Sequence, residues 1–576
     1  CYAGIVVHLL LSRVLRSPGC FLAKSFRLIL PAGACCMFIE TKRWRAPSDS
    51  GEILVDPPAT EFCNVIRGNR TNNAAHEFAL GGETIQGVRA EARHELIALS
   101  RQYSDSDQEQ WTEPTSNCDG IGSPQSEPAA KTAGTLPQII ISGHQPELFH
   151  PGVWFKNFLL SHAGQQTNCV AVNLVVDNDL CRHASINVLQ GNVKNPKVRP
   201  IPYDLAGQVL PYEVRRVADK RVLSSFGRQV AKAIQPFVAQ PIIEPLWENV
   251  LGIAEGTDLL GEVMARSRHQ YERTLGLRTL ELPLSRVSET RGFKLFVAEI
   301  LSRAREFLAV HNQVLADYRN QRRLRSKSRP VPDLNTVDEF CETPFWIWQN
   351  RRPQRRPLYA RIHGDRIELT DFAEVRLDCR LAKLVDILSD SARSFVIRPR
   401  ALTTTLYARL VLCDLFLHGI GGAIYDEVTD GIIQQFWRVI PPLFAVATAT
   451  YRLPIEFERA SLADVQEVRW RLRELRYHGE KFVDHANESA TSWAKRKQVL
   501  LETPPPKGNR RSWHYQIQQV NQQIEGALQP LTRAWTDQLA RTSELQRRTQ
   551  MFDNREYSFC LFPLELTEQL RSAFRV

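Results

Sequence analysis

Two histidines bracketed by glycines stand out in the run Gly143-His144-Gln145-Pro146-Glu147-Leu148-Phe149-His150-Pro151-Gly152, with Lys156 just beyond it. An imidazole can donate a hydrogen bond, move a proton or stabilise charge near neutral pH, and glycine lets a backbone approach a ligand closely. His144 and His150 are therefore candidate catalytic groups, and Gly143, Gln145 and Lys156 candidate substrate contacts. A Gly/Pro turn with two polar residues and no chemistry accounts for the composition equally well. Downstream, Asp177-Asn178-Asp179 precedes His183. Carboxylates there suit a substrate amine or a divalent cation, and they also suit helix capping. Asp177 is assigned a catalytic and Asp179 a binding role. His144, His150, Asp177 and His183 have the ligand types of a metal site but not the spacing of zinc or iron, so no metal is expected. A third stretch, residues 417–427, puts Gly419, Gly421 and Gly422 before Tyr425. It reads as a loop able to wrap a ligand, with Gly421, Gly422 and Tyr425 as contacts, or as a flexible turn.

The elements around these residues decide whether they can meet. Residues 138–142 form an apolar run expected to be a buried strand, and residues 153–160 have the pattern of a helix. Residues 170–176 form a second apolar run ending on Asp177. Strand, glycine-bearing turn, helix and strand make a βαβ unit, the opening of a doubly wound parallel sheet. In such sheets ligands sit outside the C-terminal strand ends, where helix N-termini attract anions. The sheet is expected to resume at residues 394–397 and again at 444–447. Beyond Glu456, Leu462, Val465, Val468, Leu472 and Leu475 recur at helical steps, as do Ile517, Val520, Ile524, Leu528, Leu531 and Trp535. The proline-rich residues 503–509 cannot continue a helix, so two long antiparallel helices with a kink at Pro530 are expected.

The domain order follows: 37–135, N-terminal helices and a flexible linker; 136–244, first part of the core; 245–393, a helical and hairpin insert; 394–455, second part of the core; 456–550, a helical hairpin; 551–576, a tail packed on the core. Residues 1–36 hold four basic residues and no acid before Met37, the first of three methionines, and are read as mis-assigned upstream translation. The formal charge of +10 falls to +6 without them, which fits an acidic small-molecule substrate better than a nucleic-acid groove. The basic runs at 319–325 and 351–356 are read as solvated faces, so no nucleic acid is expected. Twelve scattered cysteines without a C-x-x-C pair argue for a reducing, cytoplasmic setting. The only membrane-like stretch, residues 3–11, is too short to span a bilayer. There is no Walker A, complete G-x-G-x-x-G, G-x-S-x-G or H-E-x-x-H sequence.

Two segments carry a family resemblance. Residues 143–156 resemble the T-G-Q-Q-x-G-L-F-T-G-P-L-Y-x-x-x-K signature of the cysteine ligase of bacillithiol biosynthesis. Ile397-Arg398-Pro399, Leu410, Leu415 and the run to Tyr425 resemble that family's L-R-P…A-Y-x-G-G-P-G-E-I-A-Y region. The resemblance implies an α/β fold: a Rossmann-like, nucleotidyltransferase-type parallel core with connective inserts and a C-terminal antiparallel coiled-coil hairpin that dimerises. It also implies carbon–nitrogen ligase chemistry, joining a cysteine-like amino acid to an amino-sugar amine. His144 stands in place of Gln, Glu147 of Gly, and His150-Pro151 of Thr-Gly, and Gly419–Ala423 breaks the glycine spacing, so the substrate stays open. No cofactor is specified, although a nucleotide is compatible. In the ligase reading His144 and His150 stabilise developing negative charge, Lys156 lies near the bound anion, and Asp177 or Asp179 orients the amine. The competing reading is a non-catalytic scaffold whose hairpin holds a protein partner.

Overall fold

The computed structural model describes residues 43–104, 136–326, 329–483 and 488–574. The expectations for residues 1–36, the start at Met37 and most of the 103–136 linker lie outside them. The chain is mixed α/β. Its central sheet runs Ile53–Asp56, Ala445–Ala449, Leu415–His418, Ile139–His144, Val170–Val175, Leu280–Pro283. Ile53–Asp56 is antiparallel to its neighbour and the other pairings are parallel.

These strands are nearly all apolar because both of their faces are covered. Side chains alternate across a strand, so Ile139 and Ile141 join one core with Val172, Leu174, Leu280 and Leu282. Ile140 joins the other with Ala171, Leu415, Leu417, Ala445 and Ala447. The first core also takes in helices Ile85–Ser104 and Arg291–Ser302, and the second the helix Pro151–Thr167.

Numbered by chain position, the five parallel strands lie in the order 3-2-1-4-5. From the Ile139 strand the chain first builds outward on one side and later returns to build on the other. The order therefore reverses between Ile139–His144 and Leu415–His418, and the helices after these two strands diverge there and leave a crevice at the C-terminal ends.

Four expectations change. Residues 395–399 do not continue the central sheet: Phe395–Pro399 is the edge strand of a separate antiparallel sheet, ordered Arg376–Arg380, Arg366–Thr370, Arg352–His363, Phe340–Gln349, Phe395–Pro399. Leu280–Pro283, placed in the insert by the sequence, is a strand of the parallel sheet. Residues 417–427 are not a loop, because Leu415–His418 is a strand and Ile420–Ile432 a helix. After residue 456 come four long helices where two were expected, Leu462–His478, Glu488–Glu502, Arg510–Ala527 and Gln529–Phe552, with a helix boundary at Pro530 in place of the expected kink. Leu475, Val520, Ile524 and Leu528 share a small core of their own. Among the described residues no helix is long and apolar enough to cross a membrane.

Candidate functional site

The Ile139–His144 strand delivers its last residues to the crevice, and residues 145–149 turn the chain into Pro151–Thr167. Gly143 packs against the neighbouring strand, where an added Cβ would lie 2.9 Å from the Leu174 carbonyl oxygen. His150 is the helix N-cap: its Nδ1 accepts from the Gly152 amide at 3.1 Å, and Pro151 follows at the first helical position. An amide can only donate, so the proton of a neutral His150 sits on Nε2, 3.5 Å from a Glu556 carboxylate oxygen. The sequence treated His150 as catalytic, and the structure gives it this capping role at the cavity wall. Gly152 has no room for a side chain, because a Cβ would collide with the Ala449 carbonyl oxygen. Gly152→Ala is expected to force the helix off the sheet edge, lowering stability by about 2 kcal/mol or more in chemical denaturation. An unchanged midpoint would show that this contact relaxes freely.

One turn into the helix, Lys156 is 4% exposed and donates from Nζ to the Gly143 carbonyl oxygen at 3.1 Å. Its methylene stem runs toward Gly419 of the adjacent turn, so the ammonium sits where the strand order reverses. Burial first, and then the charge of Arg268, pull its pKa down to about 8. Arg268 itself is held by Glu272 at 3.1 Å and Glu281 at 2.6 Å. These two carboxylates are engaged by Arg268 and do not neutralise Lys156.

The second wall is built the same way. Leu415–His418 ends on a histidine, Gly419 takes the N-cap position, and Ile420–Ile432 begins without a side-chain cap. The first-turn amides of this helix are thus open to a ligand. Gly422 is required because a Cβ would stand 2.7 Å from His418 Nδ1. His418 is buried, edge-on to Phe444, with Nε2 2.6 Å from Asp426 Oδ2. Asp426 also accepts from Arg409 at 2.8 Å. Burial works against ionising Asp426, but His418 and Arg409 outweigh it and hold the carboxyl below its usual range. The sequence reading missed this trio. The apolar run before His418 was the available signal, since it repeats the strand-ending pattern of His144.

Between the walls lies a cavity of about 700 Å³ lined by Gly143, His144, Gln145, His150, Lys156, His418, Gly419, Gly421, Gly422 and Tyr425. Arg45 and Arg555 add cationic groups. His144 packs edge-on to Phe149, and burial followed by the Lys156 charge lowers its pKa to about 3. It is uncharged at neutral pH, so any stabilisation of negative charge expected of it from sequence would come from a neutral N–H.

The two aspartates separate. Asp179 accepts from Gln145 Nε2 at 3.0 Å and pairs with Arg355 at 3.1 Å, in a compartment adjoining the cavity. Asp177 does not line the cavity: it is buried on the far side of its strand and accepts from the Ser285 amide at 2.9 Å and from the Ser285 hydroxyl. Its catalytic assignment gives way to anchoring the segment after Leu280–Pro283. Burial, then the Glu213 charge, push its pKa up to about 7. An unfolded aspartate ionises near 4, so this group's contribution is complete below that pH and is lost as pH rises through about 7. Asp177→Asn is expected to gain melting temperature relative to wild type between pH 5 and pH 8, and parallel pH profiles would refute the burial argument. Among the described residues no three His, Cys, Asp or Glu side chains converge to hold a metal ion.

No known family model and no curated protein matches the chain.

Proposed function

We propose that this chain is a ligase-like enzyme that binds a nucleotide across a Rossmann-like, nucleotidyltransferase-type core and joins a small amino acid to an amine. The observation that carries the reading is the buried Lys156, held between the strand-end turns at Gly143 and Gly419 and facing the uncapped helix start at Ile420. A buried ammonium, open backbone amides and a roomy cavity together suit a polyanionic group such as a phosphate chain. Arg45 and Arg555 at the rim suit the same charge.

A non-catalytic scaffold is the second reading. It draws on Trp470 and Tyr477, exposed on the Leu462–His478 helix, and on Val499, Leu501 and Tyr515 beyond it. An antiparallel coiled-coil hairpin with such a face suits a second copy of the chain or another protein.

A thermal-shift series with ATP, ADP, cysteine and an amino-sugar malate separates the readings. Stabilisation by an adenine nucleotide is expected. No shift with any of them, and co-purification of a stoichiometric protein partner, would replace the ligase reading by the scaffold.

A further inference from the structure

Next to the Lys156 cavity, and sharing Gln145, Val176, Ala401 and Thr404 with it, is a second compartment of about 280 Å³ between the parallel sheet and the antiparallel sheet. As the smaller of the two compartments, it suits a group the size of a single amino acid.

Its lining has two chemical sides. On one, Arg355 and Arg400 both lie over the Trp346 indole, at 4.6 Å and 4.2 Å. Each has one carboxylate partner, Asp179 at 3.1 Å and Glu342 at 2.7 Å. Of these charged groups Asp179, Arg355 and Arg400 line the compartment, and the nearby His311 is uncharged, its pKa lowered to about 4 chiefly by burial. Each arginine is thus balanced by one carboxylate, and that single pairing leaves further guanidinium N–H groups for a ligand. Burial lowers the pKa of both arginines in spite of their carboxylates, and the buried Nε of Arg400 donates no hydrogen bond. Beside them Asn178, buried, donates to the Pro399 carbonyl oxygen at 2.8 Å while its own Oδ1 accepts no hydrogen bond. A buried acceptor without a donor is costly, and a ligand N–H would satisfy it. The other side is apolar, with Val176, Leu334, Pro344 and Leu402.

We propose that this compartment is the amino-acid subsite: the Arg355–Trp346–Arg400 stack takes the carboxylate of an α-amino acid, Asn178 and Asp179 take its ammonium, and the apolar wall takes an aliphatic or aromatic side chain. The proposal rests on the ligase reading for its role but not for its binding chemistry. It assigns an apolar side chain, because Val176, Leu334, Pro344 and Leu402 form that wall. Gln145 links the compartments, since it lines both and donates to Asp179.

Isothermal titration of the full chain, with and without ATP, is the test. Leucine or phenylalanine should bind. Leucinamide, which lacks the carboxylate, and 2-hydroxy-4-methylpentanoate, which lacks the ammonium, should each bind at least tenfold more weakly. Arg355→Gln and Arg400→Gln should weaken leucine at least tenfold with the fold preserved by circular dichroism. Because the ligand series runs on wild type, it decides the matter even if a variant misfolds. Leucinamide binding as well as leucine, glucosamine binding in preference to both, or no amino acid binding in either condition would overturn the assignment. Amino-acid binding without any effect of ATP would leave the subsite standing and remove the nucleotide reading; ATP binding with no amino-acid binding would do the reverse.

Discussion

Lys156→Met is expected to raise the melting temperature of the ligand-free protein at pH 7 while erasing the stabilisation by nucleotide that the proposed function calls for. The two effects have one cause. Lys156 is protonated at pH 7, yet its pKa is lowered from 10.5 to about 8, so its charge is held in an environment that disfavours it. Each pKa unit is worth about 1.4 kcal/mol, which puts the folding penalty of this charge at roughly 3 kcal/mol at most. The lost bond to the Gly143 carbonyl returns about 1 kcal/mol, so a net gain of ~1–2 kcal/mol is expected for methionine. The sign has a pH test. Between pH 8 and pH 10.5 the unfolded chain holds a proton the folded chain has released, so wild-type stability rises with pH there and the advantage of the variant shrinks. Nucleotide affinity should fall ten- to a hundredfold, the value of a charged hydrogen bond of ~1.5–3 kcal/mol. A variant that is less stable when empty and binds ATP normally would take Lys156 out of the anion site.

What could be read from the sequence was what periodicity and strand-end chemistry encode locally. The strand–turn–helix–strand unit from Ile139 to Val175 was legible because three consecutive isoleucines and a Gly/Pro turn leave few alternatives. The meeting of His144, His150 and the Gly421–Tyr425 stretch was likewise legible from the rule that ligands lie at strand ends. The glycines of residues 419–422 misled, because glycine is normally a poor helix residue and these were read as a loop. They open a helix because His418 lies against that first turn and excludes a Cβ at Gly422, a constraint set by tertiary packing. Leu280–Pro283 was missed for a related reason. It is four residues long and carries Glu281, which reads as exposed until Arg268 and Asn173 are seen to bond it inside the fold. Asp177 illustrates the limit of the strand-end rule: it lies on the opposite side from Val176 and Asn178, and the turn that begins there breaks the alternation and brings Asp179 to the ligand side.

His144→Ala is expected to cost a hundredfold or more in turnover, or in affinity for the proposed amine substrate where turnover cannot be followed, with little change in stability at pH 7. Burial and Lys156 keep the imidazole neutral. Its Nδ1 lies 3.4 Å from the Gln145 carbonyl oxygen, which can only accept, so that contact favours the proton on Nδ1 and leaves Nε2 as an acceptor. A neutral acceptor at the cavity wall suits a substrate N–H: it accepts a hydrogen bond that orients an attacking amine without taking its proton, and losing such positioning can cost about a hundredfold in rate. Acid stability reads out the buried, neutral state of the imidazole, separately from turnover. With its pKa lowered from 6.5 to about 3, the folded protein refuses a proton that the unfolded chain accepts, so wild type loses stability as pH falls below about 6.5. His76 and His311, both lowered to about 4, add the same sensitivity to wild type and variant alike. The difference between the two melting curves from pH 7 to pH 5 therefore isolates His144, and His144→Ala should lose less than wild type over that interval. A variant that melts early at pH 7 yet binds its amine normally would make His144 a packing residue against Phe149 and leave the chemistry of the cavity to Lys156 and His418.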